Sequence, residues 1–371
     1  MDSERVSCFL QALLAAPVAD VLQSAPTTST DPPTEPWFLV AGKDAACKRK
    51  REKEKKPPFE ERERASAGPP INRGDRELFK FPFADASPDA TRIGAYELER
   101  LRSKRAKGYL NDELMRLWCQ LVMLAAVPSM LGMFETEQVV ANVFIFCTFF
   151  YSKFTESLNP NVATSRAEAH ARVHRWTSAD SIFQKKVILF PIEKWEHWSM
   201  VAILHPRKVA EHLAAGNVAG KAGGKFDAGE EYPCIVIMDS CQNGPHSHED
   251  IAAHLRIWLA LEWHHRCTDK SSAPPILTKD LLPLVVLKVC QQKNIVDCGL
   301  FALRSTEELL LRVLPEDFSV TRANIKANLK MLMAKKWYKC ADIKTLRQDY
   351  TSLVMRMTNE FRQARDAPRK A

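Results

Sequence analysis

The chain has 371 residues, 46% hydrophobic and 26% charged, with a formal net charge of +8. That length supports one large domain with tails, or two small ones, around a core of useful size. The ten cysteines (8, 47, 119, 147, 234, 241, 267, 290, 298 and 340) contain no C-x-x-C pair, which argues against a zinc ribbon or a disulfide scaffold and for a reduced chain. No stretch reaches the ~20 apolar residues of a membrane span.

The apolar patch from Phe9 to Leu22 follows Asp2 and Glu4 rather than a basic start, so it reads as a short amphipathic helix and not as a signal peptide. Residues 1–75 are otherwise expected to be mostly disordered, because from 23 onward Pro, Ser, Thr, Lys and Glu displace any apolar pattern. Within them lies the basic run 48–56, KRKREKEKK. Three readings stay open for it: a solvated linker, a nucleic-acid contact, or a nuclear localisation signal, the last of which makes the nucleus (with the cytoplasm) the expected location.

Order is expected from Leu78, where Phe79, Phe81 and Phe83 alternate as in a strand. Asn111 is placed to cap a helix carrying Leu114, Leu117, Trp118 and Leu121. Val139–Phe154 is strongly apolar and reads as a buried helix. Lys186–Pro191 and Ser199–Leu204 read as strands around a turn that holds His197. Residues 206–231 contain Gly216, Gly220, Gly223 and Gly224 and read as an inserted flexible loop. Ile235–Met238 is a short buried strand ending at Asp239. His248–Leu261 has a helical pattern, Leu284–Val289 that of a strand, and a helix is expected over Gly299–Val313. Residues 361–371 read as a frayed basic tail.

Three polar residues fall at element ends, where side chains converge: His197 at a strand edge, Asp239 after a buried strand, and Cys298 at a helix start. A helix N-terminus lowers a thiol's pKa, an imidazole activates the thiolate, and a carboxylate orients the imidazole. Gln292 offers an amide donor for an oxyanion, and Gly299 allows close backbone approach. His246 and His248 are assigned to a solvated turn. His264, His265 and Cys267 are assigned to a surface helix end, since no second ligand pair stands at metal-binding spacing.

The segment QQKNIVDCGLF, residues 291–301, resembles the QQ-x-N-x-x-DCG signature of the ubiquitin-like-protein-specific cysteine proteases, the SUMO- or sentrin-specific proteases. His197-Trp198-Ser199 is similar to their H-W-S motif, Ile237-Met238-Asp239-Ser240 to the strand ending in their acid, and Tyr109-Leu110-Asn111-Asp112 to the segment that opens their domain. The resemblance covers roughly residues 78–355 and is closest to the branch with an insertion between the histidine and the aspartate.

The resemblance implies an α+β, papain-like fold: a central mixed sheet flanked by helices, with the nucleophile at a helix N-terminus, in a catalytic domain over 76–360. It implies Cys298 as nucleophile, His197 as base and then acid, Asp239 as orienter and Gln292 in the oxyanion hole. Trp198 and Tyr109 would wall a tunnel for a Gly-Gly tail, and Asp112 would pair with an arginine of the modifier. Implied partners are SUMO or SUMO-conjugated proteins, acted on by a monomer with no metal, no cofactor, no membrane and no nucleic acid. A NEDD8- or ubiquitin-directed protease, an acetyltransferase and a pseudoenzyme on the same scaffold are the alternatives. Ile295 departs from the glycine usual in the family and resists positive φ.

Overall fold

The computed structural model describes residues 77–81, 90–103, 108–123, 141–177, 181–216, 231–241, 243–267, 273–315 and 338–366. The patch 9–22, the expected disorder through 75, the basic run 48–56 and Phe83 lie outside the described residues.

β1 (Glu77–Phe81) and β2 (Thr91–Gly94) form an antiparallel pair that leads into helix α1 (Ala95–Arg102). Helix α2 (Asp112–Met123) begins where expected: the side chain of Asn111 accepts the Leu114 N–H at 3.2 Å, satisfying a donor the helix leaves open.

The central sheet is mixed, in the order β3 (Val143–Ile145), β4 (Val187–Glu193), β5 (Trp198–Leu204), β6 (Cys234–Met238), β7 (Leu284–Leu287). The outer pairs β3–β4 and β6–β7 are parallel, and the inner pairs are antiparallel. Every residue of β5 and β6 is buried, so these strands read as continuous apolar runs covered on both faces. Alternation along them sorts two cores. Met200, Ala202, Val236 and Met238 face α2, α7 (Cys298–Val313) and α8 (Cys340–Asp366). Val201, Ile203, Ile235 and Ile237 face α3 (Phe150–Thr155) and α6 (His248–Cys267), with α4 (Ala163–Ala171) beyond.

Three expectations need correction. Val139–Phe154 is not one helix: Val143–Ile145 pairs with β4, and the helix starts only at Phe150. The unbroken apolar run from Val143 to Cys147 carries no period to separate strand from helix, and here pairing with β4 takes Val143–Ile145. Residues 206–231 are not loop from their start, because Pro206–Ala214 forms helix α5, with proline at its first position and Val209 and Leu213 buried; 217–230 lie outside the described residues. The basic tail does not fray at 361, since α8 runs on to Asp366. Leu346, Tyr350, Leu353, Val354 and Met357 bury one face of that helix.

The second core centres on aromatic rings. Phe146 lies 3.8 Å from the Phe150 ring, 4.9 Å from Phe190 and 5.2 Å from Trp258, and it is fully buried. Phe146→Ala is expected to destabilise the protein by about 3–5 kcal/mol, read as a lower urea midpoint at an unchanged slope.

Candidate active site

The β4–β5 hairpin carries the imidazole. Lys194 and His197 exchange backbone hydrogen bonds at 3.2 and 3.3 Å, which leaves a two-residue loop of Trp195 and Glu196 with φ of 56° and 58°. Such loops match the twist of a hairpin but favour Asn and Gly; two larger residues there hold strain at the edge of the site. The Glu196 N–H is tied back to Glu193 Oε1 at 2.9 Å. His197 is thereby fixed one residue before β5.

The β5–β6 ladder pairs Met200 with Met238, so Asp239 emerges beside the start of β5. His197 Nε2 donates to Asp239 Oδ1 at 2.7 Å, and both residues are buried. That bond leaves Nδ1 as the nitrogen for a nucleophile. Burial opposes ionisation of Asp239, but hydrogen bonds from His197 and His248, the charge of His197 and the Cys241 N–H outweigh it and hold the carboxyl well below its usual range.

Cys298 is the first residue of α7 and is fully buried. Burial pushes its thiol up to about 12, against the backbone N–H groups of Trp198, Gly299 and Cys298 itself. The expected lowering by the helix start is therefore present but outweighed by desolvation. The Trp198 contact seats the sulfur against the residue that follows His197.

A Cβ on Gly299 would meet Leu110 side-chain atoms at 3.0 Å. Close packing of α7 on Leu110 thus gives this glycine a role in the fold. The preceding loop turns without positive φ at Ile295, which is exposed. Asn294 makes the turn instead: its Oδ1 accepts the N–H groups of Val296 and Asp297, each at 3.0 Å. Gln292 is fixed at three points: Ser240 Oγ donates to its Oε1 at 2.6 Å, its N–H reaches Ser240 O at 2.9 Å, and its Nε2 donates to Asn294 O at 2.7 Å. Its amide has two N–H donors, and this last bond uses one.

A family model described as the Ulp1 protease family, C-terminal catalytic domain, matches residues 116–345, more than half of the chain. The chain belongs to the Ulp1 protease family. Among curated proteins, this family member is 27% identical over 305 residues to the probable ubiquitin-like-specific protease 2B of Arabidopsis thaliana, covering 78% of this chain and 30% of that protein. It is 26% identical to ubiquitin-like-specific protease 2 of Schizosaccharomyces pombe (61% and 35% covered) and 23% identical to human sentrin-specific protease 2 (52% and 24%). The chain thus spans about a third or less of the length of these relatives. A solved structure described as that of the de-sumoylating protease is 15% identical and superimposes with a TM-score of 0.52 over 79% of this chain and 95% of that one. That likeness bears on the α+β fold, which agrees with the sheet and helices above.

Other expected residues take clear places in this Ulp1-family site. The Tyr109 and Trp198 rings lie 6.4 Å apart at 20°, facing one another. Trp198 Nε1 donates to Leu110 O at 2.7 Å, and the Tyr109 hydroxyl donates to Glu193 Oε1 at 3.4 Å. Asp112 sits half-buried in the first turn of α2, where the helix dipole favours its charge.

His246 and His248 are not solvated, which corrects the reading from sequence. His246 is buried; its Nε2 donates to Lys194 O at 3.2 Å, so its Nδ1 accepts from Ser199 Oγ at 2.9 Å. Burial, then the charge of His197, pulls its pKa down to about 4. His248 Nε2 donates to the second oxygen, Asp239 Oδ2, at 2.9 Å. Arg347 of α8 was also missed: it grips Asp297, the residue before Cys298, at 2.6 Å and donates to Arg100 O at 3.2 Å. Arg100 in turn donates to Tyr109 O at 2.7 Å. The signal in the sequence was the 3.6-residue apolar period of α8, which places Arg347 beside Leu346.

His197, Asp239 and His246 offer ligand atoms within 4.8 Å of one another. Both Asp239 oxygens already accept imidazole N–H groups, so the arrangement present is a hydrogen-bonded relay.

Two predictions follow from the histidines. His248→Ala is expected to lower kcat about tenfold, the loss of roughly one charge-assisted hydrogen bond, with little change in KM; His248→Gln, which keeps an N–H donor, is expected to restore most of it. A fall in KM-dependent terms alone would contradict this role. His246 has a folded pKa near 4, below its ordinary value of 6.5. Between those values the unfolded chain binds the extra proton. Stability is therefore full above pH 6.5 and falls as pH drops toward 4, by on the order of 3 kcal/mol. Urea midpoints from pH 7 to 4 should show this slope, and His246→Gln should flatten it.

Proposed function

We propose that this chain is a thiol protease that hydrolyses the bond after the C-terminal Gly-Gly of SUMO, releasing it from lysine side chains and trimming its precursor. One observation carries the reading: a thiol at a helix start, seated against the residue after a histidine whose far nitrogen is held by a buried carboxylate.

The chemistry follows from those groups. His197 Nδ1 takes the proton of Cys298 as the sulfur attacks the glycine carbonyl. The Gln292 amide and the backbone N–H at the start of α7 stabilise the oxyanion. His197 then protonates the leaving amine, and a thioester remains on Cys298. Water, deprotonated by His197, hydrolyses that thioester and restores the thiol. The stacked rings of Tyr109 and Trp198 offer an aromatic wall beside the start of β5, and a Gly-Gly tail, with no side chains to clash, suits such a wall. Asp112, at the mouth of α2, is the acid offered to a basic residue of the modifier. The names of the curated relatives support a ubiquitin-like modifier as substrate. The basic run 48–56 supports the nucleus as the place of action.

The test uses SUMO, NEDD8 and ubiquitin carrying a C-terminal electrophile, with the protein and its Cys298→Ala variant. A SUMO adduct absent from the variant is the expected result. An adduct with NEDD8 or ubiquitin alone would keep the mechanism and replace the substrate. No adduct with any modifier would sink the protease reading in favour of a binding protein or an acetyl-CoA-dependent transferase.

A further inference from the structure

The start of α7 holds an acid that does not do what its position invites. Asp297 is the N-cap of that helix: its carbonyl accepts the Phe301 N–H at 2.9 Å, the first bond of the helix. An aspartate there ordinarily turns its carboxylate back onto N–H groups of the first turn, satisfying donors the helix leaves open. The Asp297 side chain makes no such capping bond. Both of its oxygens are drawn the other way. Arg347 donates to Oδ1 through Nη2 at 2.6 Å and through Nε at 3.2 Å, and Asn294 Nδ2 donates to Oδ2 at 2.7 Å.

The two donors are themselves held. Arg347 is buried, and its Nη1 donates to Arg100 O at 3.2 Å and Leu101 O at 3.5 Å, at the end of α1. A guanidinium is planar and donates in a fixed fork, so contacts on two edges fix its place in a way that a single ammonium does not. Arg100 donates in turn to Tyr109 O at 2.7 Å. Asn294 is held within its own loop, where its side chain accepts two backbone N–H groups and its carbonyl accepts from Gln292. The carboxylate is thus gripped between α8 and the loop that precedes α7.

The N–H groups at the start of α7 are thereby left for the sulfur. Those of Cys298 and Gly299 bond the Cys298 thiol, together with that of Trp198. Burial is the main cause of the raised pKa of this thiol, and the charge of Asp297 adds to it. A carboxylate turned back onto the helix would compete for the same N–H groups and bring a full negative charge to the sulfur. One paired with a guanidinium is kept away from them, and its charge is offset where little water screens it.

We propose that Arg347 is a positioning residue for the chemistry at Cys298: it holds the Asp297 carboxylate off the start of α7 and balances its charge, which keeps the first N–H groups of the helix for an anion formed at the sulfur or on a bound carbonyl. This rests on the thiol-protease reading above, with Cys298 as the nucleophile. Arg347 stands outside the motifs around Cys298 and reaches them only because α8 packs against α7.

The rate at which the full chain forms an adduct with the modifiers carrying a C-terminal electrophile, followed against modifier concentration, tests this. Arg347→Gln is expected to lower the limiting rate about tenfold or more and to move the half-saturating concentration little. Adding Asp297→Asn should recover most of that loss, because the unbalanced charge is then gone. If Arg347 were only a clip between helices, the second substitution would leave the rate where it was or lower it further. Where Arg347→Gln gives no cooperative urea transition, Arg347→Lys takes its place. It keeps the charge without the fork, and a loss of about threefold, again recovered by Asp297→Asn, is expected. An unchanged limiting rate in the folded Arg347 variant, or a loss that Asp297→Asn does not recover, overturns the role of Arg347 and leaves the protease reading intact. No adduct of the unsubstituted chain with any modifier overturns both.

Discussion

The carboxylate of Asp239 is the group on which the site depends. It is buried at the end of a central strand, where an ionised acid is costly unless every oxygen is engaged. Three donors engage it: His197 on Oδ1, the Cys241 N–H on the same oxygen, and His248 on Oδ2. Removing any one leaves charge uncompensated in a place water does not reach. The His197 imidazole is therefore held by a demand of the core, and its orientation is coupled to the packing of the sheet.

That coupling runs through β5 and β6. Their alternation divides residues between two cores, and a one-residue slip would move Met200 and Met238 to the wrong face and separate His197 from Asp239 together. Helix α7 closes the arrangement. It is buried along nearly its whole length, and it carries charge there only because Arg304 is matched by Glu307 at 2.7 Å and Glu308 at 2.6 Å. A rigid buried helix gives Cys298 a fixed position, with Gly299 against Leu110 setting how closely it approaches the Tyr109–Asp112 segment. Arg347 then bridges that helix start to α1.

The groups legible in the sequence were those carried by element ends and short motifs. His197, Asp239 and Cys298 could be read because each stands where a strand or helix stops, and the structure brings His197 to Asp239 and seats Cys298 beside the strand that follows His197. The Asn111 cap and the strands β4 to β7 were legible for the same local reasons. Val139–Phe154 was misread because its apolar run from Val143 to Cys147 has no period. His246 and His248 were misread because the surroundings of a turn and of the helix start after it depend on what they fold against, here Ser199, Lys194 and Asp239.

The burial of Cys298 has one more consequence for how the site works. A thiol far above its ordinary pKa is not a standing nucleophile, so the helix start and its three backbone N–H contacts do not by themselves make a thiolate. What they do is lower the energy of the anion once it forms, in a place where no water competes for the same N–H groups. In the proposed mechanism formation is coupled to an acceptor for the proton, the imidazole whose other nitrogen is already bonded to an ionised carboxylate. Charge moves from a neutral pair to an ion pair inside a prearranged set of dipoles, and the fold has placed those dipoles before any substrate arrives. The strained Trp195–Glu196 turn fits this account, since it fixes the position of His197 through backbone geometry and does not rely on a flexible side chain.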